Sequence, residues 1–378
     1  MTVSVAPHRN ASLDGLRGLA VALVIAYHLN LVGVGWVGVQ LFFVLSGFLI
    51  TRQLLDLQAR PSRTGTRLRV FYGRRALRIV PLAAVYLLLL WAARPWLAPT
   101  QAAAVTAQWP FAATYTSNWY AMGDWHAKTY FLDHFWSLAV EEQFYLLWPL
   151  LLFALPARWR LAALLALVLA GPLLRLAVWL WWPFAAPENR PHAVAVCTFS
   201  QLDAFAMGGL VALAGERLRR VPAPALWLVG ALALAWLLGL MVPAAASTAP
   251  LTLGYPNTLP QAGQWLWGYT VVNALAALLL GLVVHRGFAR GLFAQPALVR
   301  LGEVSYAAYL LHFPLAHLCR PAINQLHRLT GLDPVPTVLL FLPVYLSLLL
   351  GLCLLAREGI ENPCLRLKQR WFPMPATP

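Results

Sequence analysis

Residues 13–32, LDGLRGLAVALVIAYHLNLV, form an apolar stretch of membrane-span length that nonetheless carries Asp14, Arg17 and His28. Eleven positions separate Arg17 from His28, which at about 100° and 1.5 Å per residue puts them on nearly the same helix face, roughly 16 Å apart. Asp14 falls close to that face. An ionisable group at a helix centre in a bilayer costs about 2.5 kcal/mol or more, so a stripe of three must face protein or water. Such a stripe reads first as a functional site, although Arg17 could also simply pair with Asp14 at i, i+3.

Working outward, the composition agrees with a membrane setting. Of 378 residues, 60% are hydrophobic and 11% charged, far below the roughly 25% charged residues of a soluble domain. Apolar runs near 14–33, 36–55, 79–96, 136–155, 161–182, 199–214, 225–243, 266–284, 303–322 and 335–356 predict an all-α polytopic bundle of about ten spanning helices. An even number puts both termini on one side. A roughly fourfold excess of Lys and Arg on that side assigns them to the cytoplasm. The net charge of +15 is then mostly topology signal plus contact with anionic lipid headgroups. Nucleic acid is not expected as a partner, since no stacking aromatics accompany the arginines in a soluble module.

The chain reads as a single transmembrane domain over 1–378. Three parts are not span-like: a basic cytoplasmic loop at 52–78, an aromatic outside loop at 95–133, and an uncharged Pro-, Ala- and Thr-rich segment at about 243–264. A cytoplasmic tail follows at 357–378. The first span carries charge and lacks a small-residue cleavage site after it, so it is expected to stay as an uncleaved anchor. Cys197, Cys319, Cys353 and Cys364 show no C-x-x-C spacing, and neither disulfides nor a metal are expected.

Five motifs stand in order: LDGLRGLAVALVIAYH at 13–28, FFVLSGFLIT at 42–51, GRRALRIVP at 73–81, HFWSLAVEEQFYLLWP at 134–149 and GEVSYAAYLLHFP at 302–314. Together they resemble the bacterial acyltransferase 3 family of integral-membrane O-acyltransferases, over most of the chain. The family's arginine and histidine of the first span match Arg17 and His28, its Arg-x-x-Arg matches Arg75 and Arg78, and its Trp-Ser-Leu-x-x-Glu block matches Trp136, Ser137, Leu138 and Glu141. The resemblance implies an enzyme of the bacterial inner membrane that moves an acyl group, usually acetyl, from cytoplasmic acyl-coenzyme A to a hydroxyl of a saccharide or similar acceptor. It also implies a stand-alone form, without the extracytoplasmic hydrolase-like domain of two-domain relatives. One departure is Gln201, where an arginine is expected before Asp203 in QLDAFAMGG; Asp203 itself reads as a structural partner for an arginine elsewhere.

The residues support that chemistry independently. Acyl transfer needs a base or an acyl-carrying nucleophile, and imidazole serves at neutral pH. His28 is the expected base. Glu141 and Glu142 lie seven or eight residues past His134, read as an outer-interface anchor, so they are expected at the depth of His28, with Glu141 as its orienting partner and Glu142 as runner-up. Acetyl-coenzyme A or another acyl-coenzyme A is the expected co-substrate, and guanidinium binds its phosphates in a bidentate fork. Arg74, Arg75 and Arg78 lie about a helical turn from one another at the membrane edge, with Arg17 nearby, and are the expected donor site. Asp14, Ser137, Ser305, Tyr309 and His312 are expected to line the substrate path. Ser46 reads as a small packing position. The expected acceptor is a glycan such as exopolysaccharide, O-antigen or a lipid-linked saccharide. A macrolide or other small metabolite is the alternative, and a proton-coupled transporter or flippase is the reading from another class.

Overall fold

The computed structural model describes residues 10–215, 217–239 and 264–375, and among these the regular elements are all helices. The chain opens with α1 (Ala11–His28), whose first turn is capped by Asn10 accepting from the Ser12 amide at 3.1 Å, the usual service of an N-cap side chain. A 3-10 turn leads into α2 (Val37–Gln58), then α3 (Thr64–Ala93), α4 (Pro99–Ala113), α5 (Ser117–Ala121), α6 (Phe135–Ala154) and α7 (Ala157–Trp181). Next come α8 (Arg190–Val196), α9 (Leu202–Ala214), α10 (Arg217–Arg220), α11 (Ala223–Gly239) and α12 (Gln264–Arg286). The last are α13 (Arg290–Phe293), α14 (Pro296–Glu303), α15 (Ser305–Thr330), α16 (Pro334–Ala356) and α17 (Asn362–Trp371).

Each of the ten apolar stretches is helical over most of its described length. By length and composition, five helical segments are fit to cross a membrane among the described residues: Gly33–Gln58, Thr64–Trp96, Ala157–Trp181, Trp265–Arg286 and Pro334–Trp371. The pair Arg190–Val196 and Phe199–Ala214, bent by 68°, adds a sixth if it is one span. The number expected from apolar runs was about ten. The difference falls on α1, α6 and α15, whose apolar runs are interrupted by Asp14, Arg17 and His28, by Glu141 to Gln143, and by His312, His317 and Arg320, and on α11, whose described part is a shorter apolar helix.

Two expected loops are largely helical. Only residues 59–63 separate α2 from α3, which runs unbroken through Arg74, Arg75 and Arg78; arginine is a good helix former, so a basic run need not be a loop. The aromatic segment at 95–133 contains α4 and α5, built on the Ala-rich TQAAAVTAQ after Pro99, a favoured first helical residue. The tail carries the short α17, held across α3 by a bond from Arg74 to the Phe372 carbonyl at 2.9 Å. Most of the Pro- and Ala-rich segment at 243–264 lies outside the described residues.

Small residues set the closest packing. A Cβ on Gly47 of α2 would meet the Phe205 carbonyl, and one on Gly208 of α9 the Val44 carbonyl, so the two backbones touch through reciprocal glycines. This is how helices associate where lipid supplies no hydrophobic drive between them. Beside them, Arg175 of α7 and Asp203 of α9, both 0% exposed, form a buried ion pair at 2.6 Å. Arg175 also donates to the Ser200 and Leu266 carbonyls and to Thr270, while Asp203 accepts from Thr270 and Asn273. The arginine that Asp203 was expected to find is therefore Arg175, and the pair ties α7, α9 and α12. On the outside, Leu88, Leu89, Leu147, Leu169, Leu173, Leu350 and Leu355 are exposed, an apolar surface suited to lipid.

Candidate active site

His28 ends α1, and both of its neighbours fix its proton. Nδ1 lies 2.9 Å from the Val24 carbonyl and 3.2 Å from His312 Nε2. A carbonyl only accepts, so Nδ1 carries the hydrogen. His312 in turn donates from Nδ1 to the Tyr309 carbonyl at 2.7 Å, which leaves its Nε2 free to accept from His28. The lone pair of His28 is thereby placed on Nε2, as a base requires.

His28 lines a cavity of about 240 Å³ together with Tyr27, Trp36, Gln40, His126, Asp133, His134, Trp136, His192, Tyr269, Tyr309 and Phe313, among others. Aromatic walls with a few polar groups are the usual lining of a small-molecule site. At its outer rim Asp133 accepts from His126 at 3.2 Å, from the Thr129 amide at 2.9 Å and from Gln108 at 2.9 Å. Burial alone would raise the Asp133 carboxyl, but these donors outweigh it and hold it below the usual carboxylate range. Among the described residues no group of three or more His, Cys, Asp or Glu side chains is arranged to hold a metal. A second cavity, of about 210 Å³, shares His28 and Phe313 as lining and runs toward Tyr130, His317 and Arg320.

A separate polar cluster gathers around Arg17. Its guanidinium lies 3.8 Å from Asp14 and within electrostatic reach of Arg75, Tyr145 and Glu141. Arg75 stacks 3.5 Å above the Tyr145 ring, and its buried Nε has no hydrogen-bond partner. Arg78 is within reach of Arg17, Arg75 and Glu361. Arg74 is turned toward the C-terminal helix instead, through its bond to Phe372.

Glu141 belongs to this cluster. It accepts from Ser46 Oγ at 2.8 Å, and Ser46 also meets Tyr145 OH at 2.8 Å. The expected pairing of Glu141 with His28 is thus not the one found, and His312 holds that position. Counting depth from His134 as an interface anchor fails because His134 is buried against His312, ring centroids 5.7 Å apart. Seven residues of helix, about 10 Å, then carry Glu141 to the other cluster. Glu142 is also near Arg75. Tyr309 lines the cavity and hydrogen-bonds Ser137, while Ser305 is buried, with no partner for its hydroxyl.

Three helices share one layout. On α1, on α2 and from the N-cap of α6 onward, a cavity residue (His28, Gln40, His134) is followed along the axis by buried apolar side chains and then by a cluster residue (Arg17, Ser46, Glu141). The intervening residues include Val21 and Val24, Phe43 and Val44, and Leu138 and Val140. Axial offsets of 11, 6 and 7 positions correspond to about 16, 9 and 10 Å. Sequence reasoning places Arg17, His28 and the arginines among the site residues, reads His134 as an interface anchor and Ser46 as a packing position, and passes over Gln40. The available signal for Gln40 is an amide within the apolar run at 37–50.

Residues 10–357 match the family described as Acyltransferase domain. The chain belongs to the acyltransferase 3 family. Among its relatives, peptidoglycan O-acetyltransferase OatA of Listeria monocytogenes is 27% identical over 83% of this chain and 50% of its own length. The putative peptidoglycan O-acetyltransferase YrhL of Bacillus subtilis is 30% identical over 82% and 49%, and O-acetyltransferase OatA of Staphylococcus aureus 28% over 82% and 51%. The chain thus spans about half the length of these relatives. No solved structure matches it.

Proposed function

We propose that this family member is a multi-pass enzyme of the bacterial inner membrane, with about ten spans and both termini cytoplasmic, that moves an acetyl group from acetyl-coenzyme A to a glycan hydroxyl. The observation that carries the reading is His28: its Nδ1 hydrogen is held by Val24 and His312 while the ring borders an aromatic-walled cavity. His28 Nε2 takes the proton of the acceptor hydroxyl. The hydroxyl oxygen forms a bond to the thioester carbonyl carbon, the carbon–sulfur bond breaks, and the imidazolium returns its proton to the departing thiolate. The reading is supported further by the converging Arg17, Arg75 and Arg78, whose mutual repulsion a polyanionic donor would relieve, and by the unpartnered Arg75 Nε. The donor's phosphates occupy that end, and its pantetheine arm spans the apolar layer so that the thioester meets His28. The relatives' printed names make a peptidoglycan-type glycan the first acceptor to try.

The test is an assay of purified protein with acetyl-coenzyme A and glycan acceptors, following thiol release and acetylated product together. His28→Ala is expected to abolish both. Full turnover by that variant would end the mechanism, and transport of substrate without thiol release would favour a transporter.

A further inference from the structure

Two buried atoms in the His28 cavity are hydrogen-bond acceptors without a donor. Gln40, 1% exposed, and His134, 3% exposed, both line it, and Gln40 Oε1 and His134 Nδ1 are buried with no hydrogen-bond partner. His134 Nε2 lies 3.0 Å from the Leu310 carbonyl, so Nε2 carries the ring hydrogen and Nδ1 holds a lone pair. His28 Nε2 holds another, by the argument above. Three side chains, from α1, α2 and the N-cap of α6, therefore bring acceptor atoms to one cavity of about 240 Å³. Buried polar groups are ordinarily satisfied, and each left unpaired costs about 1–3 kcal/mol. A packed enzyme that keeps two such atoms beside its base holds them for a ligand.

We infer that Gln40 and His134 form the acceptor-binding subsite and that it holds a polyhydroxylated saccharide, which supplies O–H or N–H donors to Gln40 Oε1 and His134 Nδ1 while a further hydroxyl reaches His28 Nε2. A saccharide stripped of its O–H and N–H donors could not satisfy these two atoms. Trp36, Trp136 and Tyr269 provide the faces on which a sugar ring can lie. This subsite rests on the proposed transfer to a glycan, but it can fail separately.

Binding is measured by thermophoresis on the purified full chain, without donor, using chitopentaose and its per-methylated form, which keeps the ring faces and has lost the O–H and N–H donors. Chitopentaose is expected to bind wild type at least tenfold more tightly than the methylated probe. Gln40→Leu, and His134→Gln, whose amide can still donate to the Leu310 carbonyl, are each expected to raise the Kd for chitopentaose at least tenfold. Because Gln40→Leu removes an unsatisfied group, its thermal midpoint is expected to equal or exceed that of wild type, which separates lost binding from lost folding. In turnover, KM for the saccharide rises with Kd and kcat changes less than twofold. Equal binding of the two probes, absence of binding by chitopentaose, or unchanged Kd in both variants overturns the subsite. Wild-type thiol release with unaffected variants would leave the transfer reading standing without this subsite; selective binding without thiol release would leave the subsite standing without transfer.

Discussion

At the scale of single residues the assignment turns on which nitrogen of each histidine holds a proton. His312 acts through His28, so His312→Leu is expected to lower kcat by roughly tenfold or more while leaving KM for the donor in place, and to alter the acidic limb of the rate–pH profile, because Val24 alone would hold the ring. An unchanged profile would show that His312 only packs. Removing the guanidinium in Arg75→Ala should raise KM for acetyl-coenzyme A by roughly 10- to 100-fold, the value of about 1.5–3 kcal/mol for a charged hydrogen bond. Saturating donor should restore kcat. The Arg17 and His28 pair was legible in the sequence because both sit on one helix, where spacing alone decides a shared face. What His28 touches was not legible. His312 lies 284 positions away, and Glu141 was put at the wrong depth by counting from a residue, His134, that is itself interior.

At the scale of elements, close backbone contact and one ion pair hold the framework on which α1, α2 and α6 present their side chains. Asp203→Asn leaves Arg175 charged in a dry environment, a loss of about 3–5 kcal/mol. It is expected to reduce the monodisperse fraction in detergent sharply; wild-type yield and melting would refute the role given to the pair. Gly208→Leu should do the same by forcing α9 from α2, since its Cβ would meet the Val44 carbonyl. The helices themselves were readable from apolar runs, whereas the helical nature of the basic and aromatic segments was hidden by weighting charge and ring content over propensity. That Asp203 needs an arginine followed from the expense of a lone buried carboxylate. That the partner is Arg175 follows only from the packing of α7 on α9.

At the scale of the whole molecule, two polar regions face opposite ends of the bundle. The outer rim gives a pH signature: the depressed Asp133 carboxyl stabilises the fold above the unfolded-state value and loses that contribution as the pH falls through about 4 and below. Asp133→Asn should therefore melt earlier than wild type near pH 7, with the gap closing toward pH 3; a gap constant with pH would contradict the assignment. Between the two regions Val21, Val24, Phe43, Val44, Leu138 and Val140 form a buried apolar layer. Apolar side chains disfavour the passage of an unpaired charge. On the proposed transfer, the acyl unit that crosses this layer is neutral while the donor's phosphates stay beside Arg17 and Arg75, so the step moves no net charge along the bundle.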